Sequence, residues 1–192
     1  MSTPSHNPLL GVFGAVGTWP NWERFFDPSR RGLILSFVAL IFTLPMLWFV
    51  GSQIQIERGR LQGVEPTHLD LIPFLGIILA VGIAFIATAS IIAILLRRMD
   101  RLPLWLIARN WAVFFLSTAL AIIFAAVAYT PLPFAVANGA LFAAYLGLLP
   151  IDIRLAQRAG GFPFMSAILI GCVVVSTSMM VLLSGVLLIL QS

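Results

Sequence analysis

Lysine is missing from this chain: all 11 basic residues are arginine. Carboxylates are few, at seven, histidines number two, and Cys172 is the single cysteine. Each shortage removes a class of function. One cysteine forms no internal disulfide, and no redox motif surrounds Cys172, so it reads as a small hydrophobe, buried or lipid-facing. The histidines, His6 and His68, fall on opposite sides of the topology drawn below, and no haem could use both. No set of His, Cys and carboxylates has coordinating spacing, so no metal is expected. H-E-x-x-H, G-x-S-x-G and P-loop patterns are absent, and Ser36 and Ser184 have no base near them in sequence. No catalytic residue, no cofactor and no enzymatic activity are expected. The arginine-only complement fits GC-rich coding, hence a bacterium. It forms no soluble basic face, so no nucleic acid is expected as a partner.

What the chain has in quantity is apolar surface. Of 192 residues, 60% are hydrophobic and 9% charged, and the mean hydropathy is +1.06. A soluble domain of this size has no use for so much, so the expected solvent is the bilayer. Leu71 to Leu96 carries no charge, and after Arg97-Arg98-Met99-Asp100-Arg101 a second apolar run extends to Ala128. A stretch of about 18 or more such residues crosses the roughly 30 Å of hydrocarbon as a helix. Two of them joined by arginines form a membrane hairpin. Five spans are read in all: about 32–50, 71–96, 105–128, 134–152 and 164–190. The fold class is therefore all-α, a polytopic transmembrane bundle. Residues 30–192 form the five-helix domain and residues 1–29 precede it.

Arginine positions set the orientation. Arg24, Arg30, Arg31, Arg97, Arg98, Arg101, Arg154 and Arg158 fall on one side, and Arg58 and Arg60 on the other. Short cytoplasmic loops are enriched in arginine and lysine, so the amino terminus is expected in the cytoplasm and the carboxyl terminus outside, in a bacterial inner membrane. No cleavable signal peptide is expected, because the first residues lack a basic region and Leu9 to Val16 is short and broken by glycine.

Along the chain, Met1 to Pro8 is polar. Leu9, Val12, Phe13 and Val16, followed by Trp19, Trp22, Phe25 and Phe26, read as an interfacial segment broken at Pro20, with a loop packed on the bundle as the alternative. Asp27 or Ser29 caps the first span, with Pro28 near its first turn. Pro45 is expected to kink that span, and Gly51 to Asp70 to form a polar connection. Small residues recur every four positions at Gly76, Ala80, Ala84 and Thr88 in the second span. They do so again at Ser117, Ala121 and Ala125 in the third, and at Ala135, Gly139, Ala143 and Gly147 in the fourth. Such stripes let helix backbones approach, so spans two, three and four are expected to pack closely. Pro150 should bend the fourth span, whose helix continues past Asp152, Arg154 and Arg158 to a stop at Gly160-Gly161.

Ionisable residues at membrane depth are rare and tend to mark function. Arg101, Trp105 and Arg109 share one helix face, with Asn110 beside them. With Asp152 they read as a lipid or anionic-ligand contact at the inner interface; the alternative is an arginine that reaches for the interface or pairs with Asp152. Asn138 near the outer end of the fourth span reads as a cap or cross-helix bond. Ser176-Thr177-Ser178 could line a polar path, but such hydroxyls more often bond to carbonyls of their own helix.

Three stretches carry a resemblance. They are Phe26-Asp27-Pro28-Ser29-Arg30-Arg31-Gly32-Leu33 running into Ser36-Phe37 and Pro45, then Leu106-Ile107-Ala108-Arg109-Asn110-Trp111, and finally Arg154 to Gly161. With the five-span layout, they resemble short bacterial members of the Yip1-like family. The tyrosine–glycine signatures of eukaryotic members have no evident counterpart here. The resemblance implies a helical bundle that works through membrane partners or lipids and has no catalytic residue to carry over. The expected function is thus a non-catalytic scaffold or adaptor, with membrane lipids and a membrane protein or a second copy as partners. The rival readings are a small transporter or channel component and an accessory subunit of a larger membrane complex.

Overall fold

A computed structural model describes residues 6–65 and 69–191. The described residues form helices and no strand. A short helix, α1 (Pro8–Val16), and a 3-10 turn (Trp22–Phe25) precede five long helices. These are α2 (Arg30–Gln62), α3 (Leu71–Leu95), α4 (Leu102–Tyr129), α5 (Phe134–Arg158) and α6 (Phe164–Gln191). All five are long and apolar enough to cross a membrane. His68 and the first five residues of the polar amino-terminal stretch lie outside the described residues.

The helix ends follow local chemistry. Asn7 caps α1 by accepting the Leu10 N–H at 3.2 Å, with Pro8 at the first position, where its missing N–H goes unused. Ser29 is the cap of α2, its Oγ accepting the Gly32 N–H at 3.4 Å, and Asp27 supports it by accepting the Ser29 N–H at 2.9 Å. α2 does not stop at the polar boundary. Its 33 residues make a rod of about 50 Å, longer than the hydrocarbon is thick. Gly51 to Gln62, expected as connection, is helix because nothing in it breaks one, and Glu57 and Arg60 add a 3.6 Å ion pair. The stop is Gly63, left-handed at φ +67, where the Val64 N–H returns to the Gly59 carbonyl. Pro45 and Pro150 both sit inside unbroken helices. α4 begins at Leu102, before Trp105, with Pro103 in its first turn.

The packing order differs from the order along the chain. α4 is the hub. It runs parallel to α2, joined by Asn110 to Ser36 at the arginine-rich end and by Val50 with Leu120 and Phe124 farther along. It runs antiparallel to α5, joined by Arg109 to Asp152 and by Phe124 edge-on to Phe134 at 5.8 Å. α6 lies between α5 and α3, so the chief partner of α3 is α6 and not α4. α3 meets α4 through Phe85, whose ring stands edge-on to Trp105 at 6.2 Å.

The small-residue stripes are redistributed accordingly. Ser117 is buried and Ala121 and Ala125 are half-buried in α4. Gly76 and Ala80 on α3 are exposed and Ala84 is half-buried. On α5, Ala135, Gly139 and Ala143 are exposed and Gly147 is half-buried. A row spaced by four drifts around a helix of 3.6 residues per turn, so it does not follow one neighbour. The buried face of α3 lies one residue on, at Phe85, Ala89 and Ala93.

The amino-terminal segment takes the packed alternative to a purely interfacial position. Ala15, Trp22 and Phe26 are buried in the same core as Trp105 and Leu155. Its other side, with Leu9, Phe13 and Trp19, is exposed. Residues 1–29 thus share their core with the spans wherever they are described.

Candidate functional site

The residues singled out by sequence separate into three groups. Arg109 and Asp152 form the first. Arg109 stands seven residues into α4 and Asp152 six residues before the end of α5, each about 10 Å from its helix end. The antiparallel packing brings them level. Arg109 donates Nε to Oδ1 at 3.0 Å and Nη2 to Oδ2 at 3.4 Å. Their side chains are 13% and 4% exposed. The guanidinium carbon also lies 3.8 Å from the centroid of the Phe85 ring on α3. One fork therefore ties three helices, through a charge-assisted bidentate bond and a cation–π contact. Trp105, one turn below Arg109, is 1% exposed and packed edge-on against Phe85 and Phe162. Its indole N–H is buried without an acceptor among the described residues.

Asn110 points away from that pair. Its Nδ2 donates to Ser36 Oγ at 3.0 Å, and the Ser36 hydroxyl donates in turn to the Leu33 carbonyl at 2.7 Å. Both residues are buried, so the chain forms a complete polar link between α4 and α2. Thr43, also buried on α2, gives its hydroxyl to the Leu40 carbonyl. Gly32, Ser36, Ala39 and Thr43 are all buried. They repeat at i, i+4, i+7 and i+11, the seam that packs on α4. Sequence reasoning passed over this seam. Its alternating spacing of four and three was the available signal.

Arg101 belongs to neither group. Its guanidinium reaches Glu23 of the 3-10 turn at 3.3 Å and stays 3.9 Å from Asp100. A second arginine absent from the sequence-derived site, Arg158, binds the amino-terminal segment. Its Nη1 donates to the Gly14 carbonyl at 2.9 Å and to the Gly17 carbonyl, its Nη2 to the Trp19 carbonyl at 2.6 Å. A cation here satisfies carbonyls that the end of α1 leaves open.

Ser176 is exposed, Thr177 half-buried and Ser178 buried. Three successive residues fan around a helix, so they form no single file of hydroxyls. Asn138 is exposed on α5. Cys172 is exposed on α6. Among the described residues, no three His, Cys or carboxylate groups come together as a metal site. The chemistry available at Arg109 and Asp152 is ion pairing, with each partner already held by the other. No family model matches the chain, and neither the curated proteins nor the solved structures contain a similar one.

Proposed function

We propose that this chain is a non-catalytic protein of a bacterial inner membrane, amino terminus in the cytoplasm, that acts as a scaffold by packing its helices against another membrane protein. The observation that carries the reading is α5. Only 6% of its most apolar window is buried, against 22–28% in the other four spans. The uncovered side presents Ala135, Gly139 and Ala143 as low points between the exposed side chains of Val136, Phe142 and Leu146. A β-carbon built on Gly139 would meet nothing within 4 Å. Such a surface admits the backbone of another helix closely. The polar groups of the interior support the same reading, because Arg109 is bonded to Asp152 and Asn110 to Ser36. The resemblance to the Yip1-like family points the same way.

Cross-linking tests it. With Cys172→Ser as background, single cysteines replace Ala143 on the open side and Ala137 on the covered side of α5. Each is labelled in native membranes with a thiol-reactive benzophenone, which on irradiation inserts into C–H bonds of whatever lies beside it. Ala143→Cys should be captured in a defined complex, either with its own kind or with one other protein, and Ala137→Cys should stay uncoupled. A chain that stays uncoupled at Ala143, Gly139 and Ala135 alike overturns the reading.

A further inference from the structure

The arginine-rich end has a feature that helix packing does not use. α3 ends in the same reversal as α2. The Arg98 N–H returns to the Ala93 carbonyl at 2.8 Å and the Arg97 N–H to the Ile94 carbonyl at 3.2 Å. In α2 the left-handed position of that motif is Gly63; in α3 it is Arg97, at φ +54. Glycine suits this conformation and a side chain there is strained. The fold therefore keeps a guanidinium where the backbone favours none.

Two more arginines of the same turn reach the α5–α6 turn. A β-carbon built on Gly161, in the α5–α6 turn, would lie 3.8 Å from Arg98 Nη1 and 4.0 Å from Arg101 Nε. Gly161 is itself left-handed, at φ +69. The two side chains thus lie over bare backbone, one from each side of the α3–α4 turn. Arg101 has carboxylates in Glu23 and Asp100. Among the described residues, Arg97 and Arg98 have none. Like charges brought together repel, and an anion seated between them removes that repulsion. Besides the two carboxylates on Arg101, exposed apolar side chains flank the turns: Leu95 and Met165 are each 73% exposed, and Leu96, Met99 and Phe164 about half exposed.

We propose that the surface where the α3–α4 turn meets the α5–α6 turn binds the phosphate of an anionic phospholipid, with Arg98 and Arg101 as its ligands and Arg97 adding charge beside them. Guanidinium forks match phosphate geometry. The exposed apolar side chains nearby are what distinguishes a lipid from a free phosphate, because they give the acyl chains a surface next to the headgroup. Clustered arginines at the end of membrane helices suit anionic headgroups. The inference does not rest on the open face of α5, and cross-linking through α5 and lipid retention at the turns fail separately.

The test is native mass spectrometry of the full chain released from nanodiscs of mixed phosphatidylglycerol and phosphatidylcholine. Wild type should retain phosphatidylglycerol in preference. Arg98→Gln should lower that retention about fivefold, the equivalent of about 1 kcal/mol per arginine, and Arg98→Gln with Arg101→Gln further. Arg60→Gln at the opposite end should change nothing. Arg97→Gly relaxes the turn, so it cannot fail by unfolding, and it should still lose retention. Equal retention of the two lipids by wild type, or unchanged retention in the double variant, overturns the proposal. In neutral detergent, phosphatidylglycerol should raise the unfolding temperature and inorganic phosphate should not; an equal rise from phosphate overturns the lipid assignment.

Discussion

Arg109 grips Asp152 with two nitrogens while its guanidinium carbon stands 3.8 Å from the centre of the Phe85 ring. The contact explains how a charge is tolerated inside an apolar bundle. The fork is satisfied on one edge by a carboxylate and on one face by a ring. Three helices, α3, α4 and α5, share it, although α6 lies between α3 and α5. Its contribution is better described as register than as stability, since taking both charges out of water offsets much of their attraction.

That distinction is measurable. Asp152→Ala leaves Arg109 charged and without a carboxylate, and Arg109→Ala does the reverse. Each should cost about 3–5 kcal/mol, because an unpaired buried charge carries its full desolvation penalty. Replacing both, Arg109→Met with Asp152→Leu, should recover most of the loss. Unfolding in mixed detergent micelles, titrated with a denaturing detergent, gives the three values. A double variant as unstable as the worse single one contradicts the pairing. Arg97→Ala, at an exposed position, should cost far less than Arg109→Ala.

Arg158 makes a separate prediction about the amino-terminal segment. Its guanidinium accounts for three carbonyl contacts, at Gly14, Gly17 and Trp19, and stacks 5.7 Å from the Trp22 ring. Hydrogen bonds from a charged donor contribute about 1.5–3 kcal/mol each in favourable cases. Arg158→Gln should therefore loosen α1 and the 3-10 turn without unfolding the spans. Amide exchange should rise sharply from Gly11 to Phe26 and stay unchanged in α4. A rise spread evenly over the whole chain would mean that the arginine supports the bundle itself.

Five long apolar helices were legible because hydrophobic runs of that length leave few alternatives, and the turn at Arg97 to Arg101 was legible for the same reason. The neighbours of each span were not. Gly76, Ala80 and Ala84 form as regular a row as Ser117, Ala121 and Ala125, yet α3 turns the first two outward and α4 turns Ser117 inward. Nothing in either row says which helix will face it. The continuation of α2 to Gln62 was written in Gly63, a stop signal placed 13 residues beyond the apolar run that ends at Val50. The Arg109–Asp152 pair was legible from the scarcity of charge. The hold of Arg158 on α1 was not, because backbone carbonyls leave no mark in a sequence.

Gly32 should tolerate no side chain. A β-carbon there would run into the carbonyl oxygen of Asp27. The obstacle is backbone, so no rotamer change relieves it. Gly32→Ala must push the Asp27–Ser29 cap away from the first turn of α2, and overpacking of this kind costs about 1–3 kcal/mol. The same face of α2 carries Ser36, so the shift should reach the Asn110 bond. Thermal unfolding should show the loss for Gly32→Ala and almost none for Gly63→Asn, where a β-carbon meets nothing within 4 Å and asparagine accepts the left-handed turn.

Asp27 sets the response of that cap to acid. The Ser29 hydroxyl and the Ser29 N–H bond to its carboxylate and hold its pKa below the ordinary value, outweighing a small opposing effect of burial, with His6 and Arg31 adding positive charge nearby. A carboxyl whose folded pKa is depressed contributes stability that is fully present above the unfolded value, about 3.9, and is lost as pH falls through the folded one. Wild type should therefore be more stable than Asp27→Asn near neutral pH, because the asparagine still accepts a bond but carries no charge. The difference should shrink below about pH 4 and vanish in stronger acid. Unfolding temperatures of the two proteins in neutral detergent, followed from neutral pH downwards, check the sign. A gap that widens on acidification would show that the neutral form of Asp27, and not the carboxylate, is the one the cap prefers.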